Sequence, residues 1–153
     1  MLTSKSQDNP LIGIWKLISV TAIHLDGTVA QDVYGVNPMG YITYTAEGHM
    51  MVMFAKGDRP LLSGDPNSPF ALESIPSEEL AQAFSSFNAY AGTYTINSNT
   101  VHHHLTLTSI PNRVGTTLVR AFTVRGDRLT LKTPETRSGG IAKNFELTWE
   151  RIN

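Results

Sequence analysis

The chain has 153 residues, 41% of them hydrophobic and 16% charged, with a formal net charge of -1. That is one domain's worth of sequence, long enough to bury a core without staples. The near balance of 12 Lys+Arg against 13 Asp+Glu excludes a strongly basic nucleic-acid footprint, and the apolar content excludes disorder. Cysteine is absent, which removes disulfides, thiol catalysis and Cys-based metal sites together.

Residues 1–10 are polar and read as a flexible tail ahead of a single domain over 11–153. They lack the apolar stretch of a secretory signal, and no later run approaches the ~20 residues of a membrane helix. The expected location is cytoplasmic. From Leu11 the pattern has a period of two, with Trp15, Leu17, Ser19, Thr21 and Ile23 on one face. Such alternation among β-branched residues predicts a strand. Asp26-Gly27 marks a turn. Strands follow over 41–45 and 49–54, joined by Ala46-Glu47-Gly48. Residues 56–77 carry six Gly or Pro; loops this long are usually functional or mobile, which suggests a lid.

One helix is expected. Ser77 suits an N-cap, Glu78 and Glu79 suit the first turn, and Leu80, Ala83, Phe84 and Phe87 form one apolar stripe. Its end falls within 88–91. Strands return over 92–97, 101–109, 116–125, 128–133 and 143–151, with Gly126-Asp127 as a hairpin turn and Ser138-Gly139-Gly140 before the last strand. Eight sequential antiparallel strands predict an all-β, up-and-down barrel with one short helix, since closure removes exposed edges. A sandwich is the competing architecture, although it usually needs long crossing connections.

Gly13-Ile14-Trp15 on the first strand and Arg151 at the end of the last resemble the lipocalin signature, in which an arginine lies over a tryptophan at one barrel end. Segments along nearly the whole chain, including Gly40-Tyr41-Ile42-Thr43-Tyr44-Thr45, Ala89-Tyr90-Ala91-Gly92-Thr93-Tyr94, Val101-His102-His103-His104-Leu105, Pro111-Asn112-Arg113-Val114-Gly115-Thr116 and Leu147-Thr148-Trp149-Glu150-Arg151, resemble the short bacterial and fungal lipocalin-like proteins. The resemblance implies a calycin-type barrel with a ligand cavity. It does not imply one reaction, although some members sit in natural-product pathways. Arg113 stands where that family often carries Trp.

His103 shares a strand face with Val101, Leu105 and Leu107, so it is expected to point into the cavity as an acid or base, or to be a structural histidine bonded to a Tyr. Arg120 shares an apolar face with Leu118, Phe122 and Val124. An arginine there needs a carboxylate or a ligand oxygen. His103 and Arg120 are the candidate catalytic pair; Tyr44, Met53, Tyr90, Tyr94, His104, Arg113 and Phe122 are candidate ligand contacts. Met50, Met51 and Met53 suit an adaptable wall. Three consecutive histidines cannot share one metal ion; His102 with His104 would need a third ligand such as His24 or His49 and has no Asp or Glu on its strand to assist, so no metal is expected. Phosphate-loop, dinucleotide and nucleophile-elbow motifs are missing from the sequence, and no cofactor is expected.

The expected partner is a small hydrophobic or mixed-polarity organic molecule, not nucleic acid or membrane, with a homodimer as a further option. Two functions fit: cofactor-free isomerisation, cyclisation or elimination in a secondary metabolic pathway, or carriage or sensing of the ligand without chemistry. A third reading is a filled, dimerising barrel with no cavity.

Overall fold

The computed structural model describes residues 9–31, 33–138 and 141–152, with no description of side chains over 136–142. The expected tail over 1–8 and the expected Gly139-Gly140 turn therefore lie outside the described residues. Asn9 and Pro10 are tied down: the Asn9 amide donates to the Tyr94 hydroxyl at 2.9 Å, and the Pro10 carbonyl accepts from Arg151 at 3.0 Å.

The strands are β1 (Gly13–His24), β2 (Val29–Ala30), β3 (Met39–Tyr44), β4 (His49–Ala55), β5 (Phe87–Asn97), β6 (Thr100–Thr108), β7 (Thr117–Arg125), β8 (Arg128–Lys132), β9 (Thr136–Ser138) and β10 (Ile141–Arg151). Eight long strands pair antiparallel in chain order from β1 through β3 to β8 and on to β10, and β1 pairs with β10 to close the barrel. The short β2 and β9 extend beside β1 and β10. The expected up-and-down barrel is what the chain forms. The helix α1 (Ser77–Ser85) packs beside the start of β5. Among the described residues, no helix is long and apolar enough to cross a membrane.

Three local departures from simple alternation shape the interior. In β1 the register slips between Leu17 and Ser19. Leu17 and Val20 are therefore both buried, where strict alternation puts them on opposite faces. In β5–β6 a second slip falls between Ala91 and Gly92, so Leu107 turns outward, 70% exposed, instead of sharing the inner face of His103. The third departure is the helix. Pro76, not Ser77, occupies the N-cap, and α1 stops at Ser85. Phe87 pairs with Ala55 as the first residue of β5, so residues 88–91 are strand rather than helix end.

One end of the barrel is closed by large buried side chains. Leu11, Trp15, Tyr44, Met50, Val101, His103, Leu129 and Trp149 are buried there and towards the middle. Trp15 donates its indole N–H to the Leu11 carbonyl at 2.9 Å. The Arg151 guanidinium lies 4.1 Å from its ring centroid and donates to the Ile12 carbonyl at 2.6 Å. The expected arginine lid over the tryptophan is thus present. Its ion pair to Asp127, 3.8 Å, is largely solvated on the acid side and adds little.

Outside the barrel, Tyr41 faces Met53 and Thr43 faces Met51 across β3–β4. Met51 and Met53 are exposed. The helix does not cover them.

Arg151→Ala removes the stacked cation and two carbonyl partners. The expected loss is about 2 kcal/mol, from one cation–π contact and two partly exposed hydrogen bonds. Urea denaturation checks this, and an unchanged midpoint would remove the lid from the account of stability.

Candidate ligand cavity

The other end of the barrel is hollow. A cavity of about 260 Å³ lies between β1, β3, β4, β5, β7, β8 and β10. The filled-barrel reading, which requires no cavity, is overturned by this space. An apolar cavity of about 150 Å³ accommodates benzene, so this space takes a single substituted ring with short appendages. Most of its wall is aliphatic or aromatic: Ile42, Val52, Phe54, Leu131, Leu147 and Trp149 among others. The polar groups are few. Tyr90, Arg113 and Arg120 come from the sequence-predicted set; Asn88, Tyr34 and Thr133 join them.

These residues arrive by simple local rules. Ile42 and Val52 sit opposite each other on β3 and β4, both facing inward. Arg120 alternates inward with Leu118, Phe122 and Val124, as expected. Arg113 is held by a short turn over Pro111–Arg113, and its guanidinium lies 6.0 Å from the Tyr90 ring centroid. Val33 and Tyr34 come from the segment after β2 and cover the mouth. Tyr34 packs edge-on to Phe54, with centroids 5.1 Å apart.

The expected lid, residues 56–76, lies elsewhere. It folds against α1: Arg59 donates to the Ser86 hydroxyl and the Ala83 carbonyl, and Ser63 donates to Glu79. None of its residues lines the cavity.

His103 points inward, as the strand alternation requires, and is 0% exposed. It does not line the cavity, because two phenols occupy its nitrogens. Tyr44 Oη lies 2.6 Å from Nε2 and Tyr90 Oη lies 3.1 Å from Nδ1. Burial first, then the nearby Arg120 charge, lowers its pKa from 6.5 to about 3. The ring is neutral at physiological pH. Burial also raises both phenols, Tyr44 strongly, so both keep their protons.

The direction of the chain follows from satisfaction of buried donors. Among the described residues Tyr44 Oη has only His103 as partner. A buried hydroxyl hydrogen without an acceptor costs ~1–3 kcal/mol, so Tyr44 donates to Nε2. The imidazole proton then sits on Nδ1 and is donated to Tyr90. The Arg120 guanidinium is near enough to the Tyr90 phenol to act on it as a charge and as a donor, and a guanidinium can only donate. Tyr90 thus accepts twice, and its own hydroxyl hydrogen remains for an oxygen in the cavity.

The remaining expected contacts fall elsewhere. Met53 is 49% exposed on the outer face, because its inward neighbours Val52 and Phe54 take the cavity wall. His104 is on the outside too, held between the Thr95 and Thr117 hydroxyls at 3.0 Å each. Its ring centroid is 6.4 Å from that of His102, and among the described residues no three potential ligands converge on a metal position. Tyr94 and Phe122 line a second hollow at the packed end, beside Asn9 and Pro10. Tyr94 donates to the Thr45 carbonyl at 2.6 Å and stacks edge-on against Tyr44. Tyr44 supports His103 from behind.

Sequence reading missed Trp149 as a wall residue. Its indole N–H is buried with no hydrogen-bond partner among the described residues. The sequence places it only within the last strand, at Leu147-Thr148-Trp149-Glu150-Arg151; its pairing with Leu17 across the closing seam is a long-range contact.

A family profile described as a lipocalin-like domain matches residues 12–152. The chain belongs to the lipocalin-like domain family. Within the curated proteins, it is 35% identical over 85 residues to the 4'-hydroxy-3'-methoxypropiophenone carrier protein ppsC of Aspergillus oryzae, a match covering 49% of this chain and 76% of that protein. No solved structure matches. In this lipocalin-like barrel the apolar wall and the small polar cluster occupy the open half, and the signature Trp15 and Arg151 occupy the packed half.

The neutral imidazole makes stability depend on pH. Between pH 6.5 and about 3 the unfolded chain binds a proton at His103 and the folded chain does not. This contribution is therefore complete above the unfolded pKa and declines as pH falls through that window, at up to about 1.4 kcal/mol per pH unit. Thermal melting at pH 7 and pH 5 is expected to show a smaller acid-induced loss in His103→Gln than in the wild type. Equal losses would mean that this imidazole is not the group responsible.

Proposed function

We propose that this lipocalin-like barrel is a carrier for one small, largely apolar aromatic carbonyl compound of a secondary metabolic pathway. The ring lies against Ile42, Val52, Phe54 and Trp149, and a carbonyl oxygen accepts the spare Tyr90 hydrogen. The single observation that carries this reading is the state of His103: neutral, buried and bonded on both nitrogens beneath the cavity. A group so placed orients Tyr90 rather than exchanging protons with a ligand. The relative in Aspergillus oryzae, named as a carrier of a substituted aryl ketone, supports the same class of ligand. The barrel acts in the cytoplasm and needs no cofactor for this task.

A catalytic reading keeps His103 as the acid/base, with Arg120 and a tyrosine steadying an oxyanion or carbonyl, for isomerisation, cyclisation or elimination. The feature in its favour is the unbroken hydrogen-bond chain from Tyr44 through His103 to Tyr90 at the cavity wall. Proton transfer through such a chain needs only that each member donate and accept in turn.

Two variants separate the readings. With 4-methoxyacetophenone as probe, calorimetry is expected to show saturable binding of one molecule per chain. Tyr90→Phe is expected to weaken it about tenfold, the value of one buried hydrogen bond. His103→Phe is expected to keep saturable binding, weakened by no more than Tyr90→Phe, and native mass spectrometry of protein from its own host is expected to find a bound ligand. A conversion by the wild type that His103→Phe abolishes would make the protein a catalyst. Absence of any aryl ketone binding would remove the proposed function.

A further inference from the structure

The cavity is apolar, yet its polar cluster is cationic. Arg120 is partly buried within it, and Arg113 stands at its mouth against Tyr90. Among the described residues no Asp or Glu lines the cavity. Neither ion pair, Lys132 with Glu146 or Arg151 with Asp127, involves Arg113 or Arg120. Other protein contacts of Arg120 are a hydrogen bond from Nη1 to the Val119 carbonyl at 3.1 Å and the approach to the Tyr90 phenol. These satisfy donors without neutralising charge.

The surrounding groups do not supply the missing charge. On β5, β3 and β6 the facing titratable groups are Tyr90, Tyr44 and His103, all uncharged. Tyr34 is raised by burial and stays a neutral phenol. On β1, β4 and β8 the cavity faces Val20, Val52, Phe54, Leu131 and Thr133 lack charge. On β10 the wall residue Phe145 has the Lys143 ammonium 5.8 Å from its ring centroid. Burying a cation without an anion is unfavourable, and a ligand that brings the anion offsets that cost. Tyr90 strengthens the preference, because a hydrogen bond to an ionised acceptor is roughly twice as strong as one to a neutral acceptor.

We propose that the cavity takes its ligand as an oxyanion: a small aromatic body bearing a phenolate or carboxylate oxygen, held by Arg120 and Tyr90 with Arg113 at the mouth. This rests on the reading that the cavity binds a small aromatic compound, and it adds the charge state. A para-acyl phenol suits the site because its negative charge spreads between the phenolic and carbonyl oxygens. Binding leaves the ligand's proton in water; no covalent bond is made or broken.

The probe is 4-hydroxyacetophenone, added to the purified full chain below the pH at which the free phenol ionises. Its absorption moves to longer wavelength on ionisation, so the bound form declares its charge. The bound probe is expected to show the phenolate band, with its apparent pKa lowered by at least ~1 unit, a ~tenfold preference for the anion. Arg120→Met is expected to abolish that shift while keeping the melting temperature. Arg113→Gln is expected to reduce it, which guards against misfolding of the first variant. Benzoate against benzamide forms a second arm: a ~tenfold preference for benzoate extends the site to carboxylates, and equal affinity confines it to phenolates. A bound probe that retains the neutral spectrum, together with equal affinity for its methyl ether and for benzoate and benzamide, overturns the oxyanion proposal while leaving the carrier reading intact. No binding by any of the four overturns both.

Discussion

The antiparallel seam between β1 and β10 is the constraint on which the molecule depends. It brings Trp15 opposite Arg151 and Leu17 opposite Trp149, and so joins the two ends of the chain into one wall. Without it the sheet has two long edges, each presenting unpaired backbone groups. The seam also divides the interior. Towards Trp15 large side chains fill the space; past the register slip in β1, the directly paired Val20 and Leu147 stand side by side in the wall of the hollow. The closure and the cavity are therefore consequences of the same pairing, and the packed end supplies rigidity that the hollow end lacks.

The central polar chain shows how an apolar barrel tolerates buried hydrogen-bonding groups. Tyr44, His103 and Tyr90 come from three different strands, and each satisfies another. Their placement relies on Gly92. A Cβ at this position would lie 1.8 Å from the His104 carbonyl oxygen, so the backbone of β5 approaches β6 more closely than any other residue permits. That approach is part of the register slip that turns Leu107 outward. The extra residue of that slip, Thr106, lies on β6 itself, so a bulge in β6 and a glycine in β5 act together near the ring.

Much of this was legible in the sequence where the governing rule is local. Period-two alternation gave the strands, the inward turn of His103 and the inward turn of Arg120. It failed at two bulges, where a single extra residue reverses the faces without any composition signal. The helix stripe extended too far because Phe87 has the right spacing for a helix, while its pairing with Ala55 is a long-range interaction. That boundary leaves Tyr90, a candidate ligand contact that does line the cavity, without the strand that turns it inward. Met53 looked like pocket lining because its neighbours are also apolar; only the register decides which of them faces inward. The bonds closing on His103 span 59 and 13 residues, and no local pattern contains them.

The molecule has two tryptophans, and the architecture gives them unequal surroundings. Trp15 is capped by a guanidinium at the solid end, away from any guest. Trp149 forms part of the wall a guest would touch. Intrinsic emission therefore divides into a silent background and a signal that an incoming aromatic can quench, so the barrel carries its own optical gauge of occupancy.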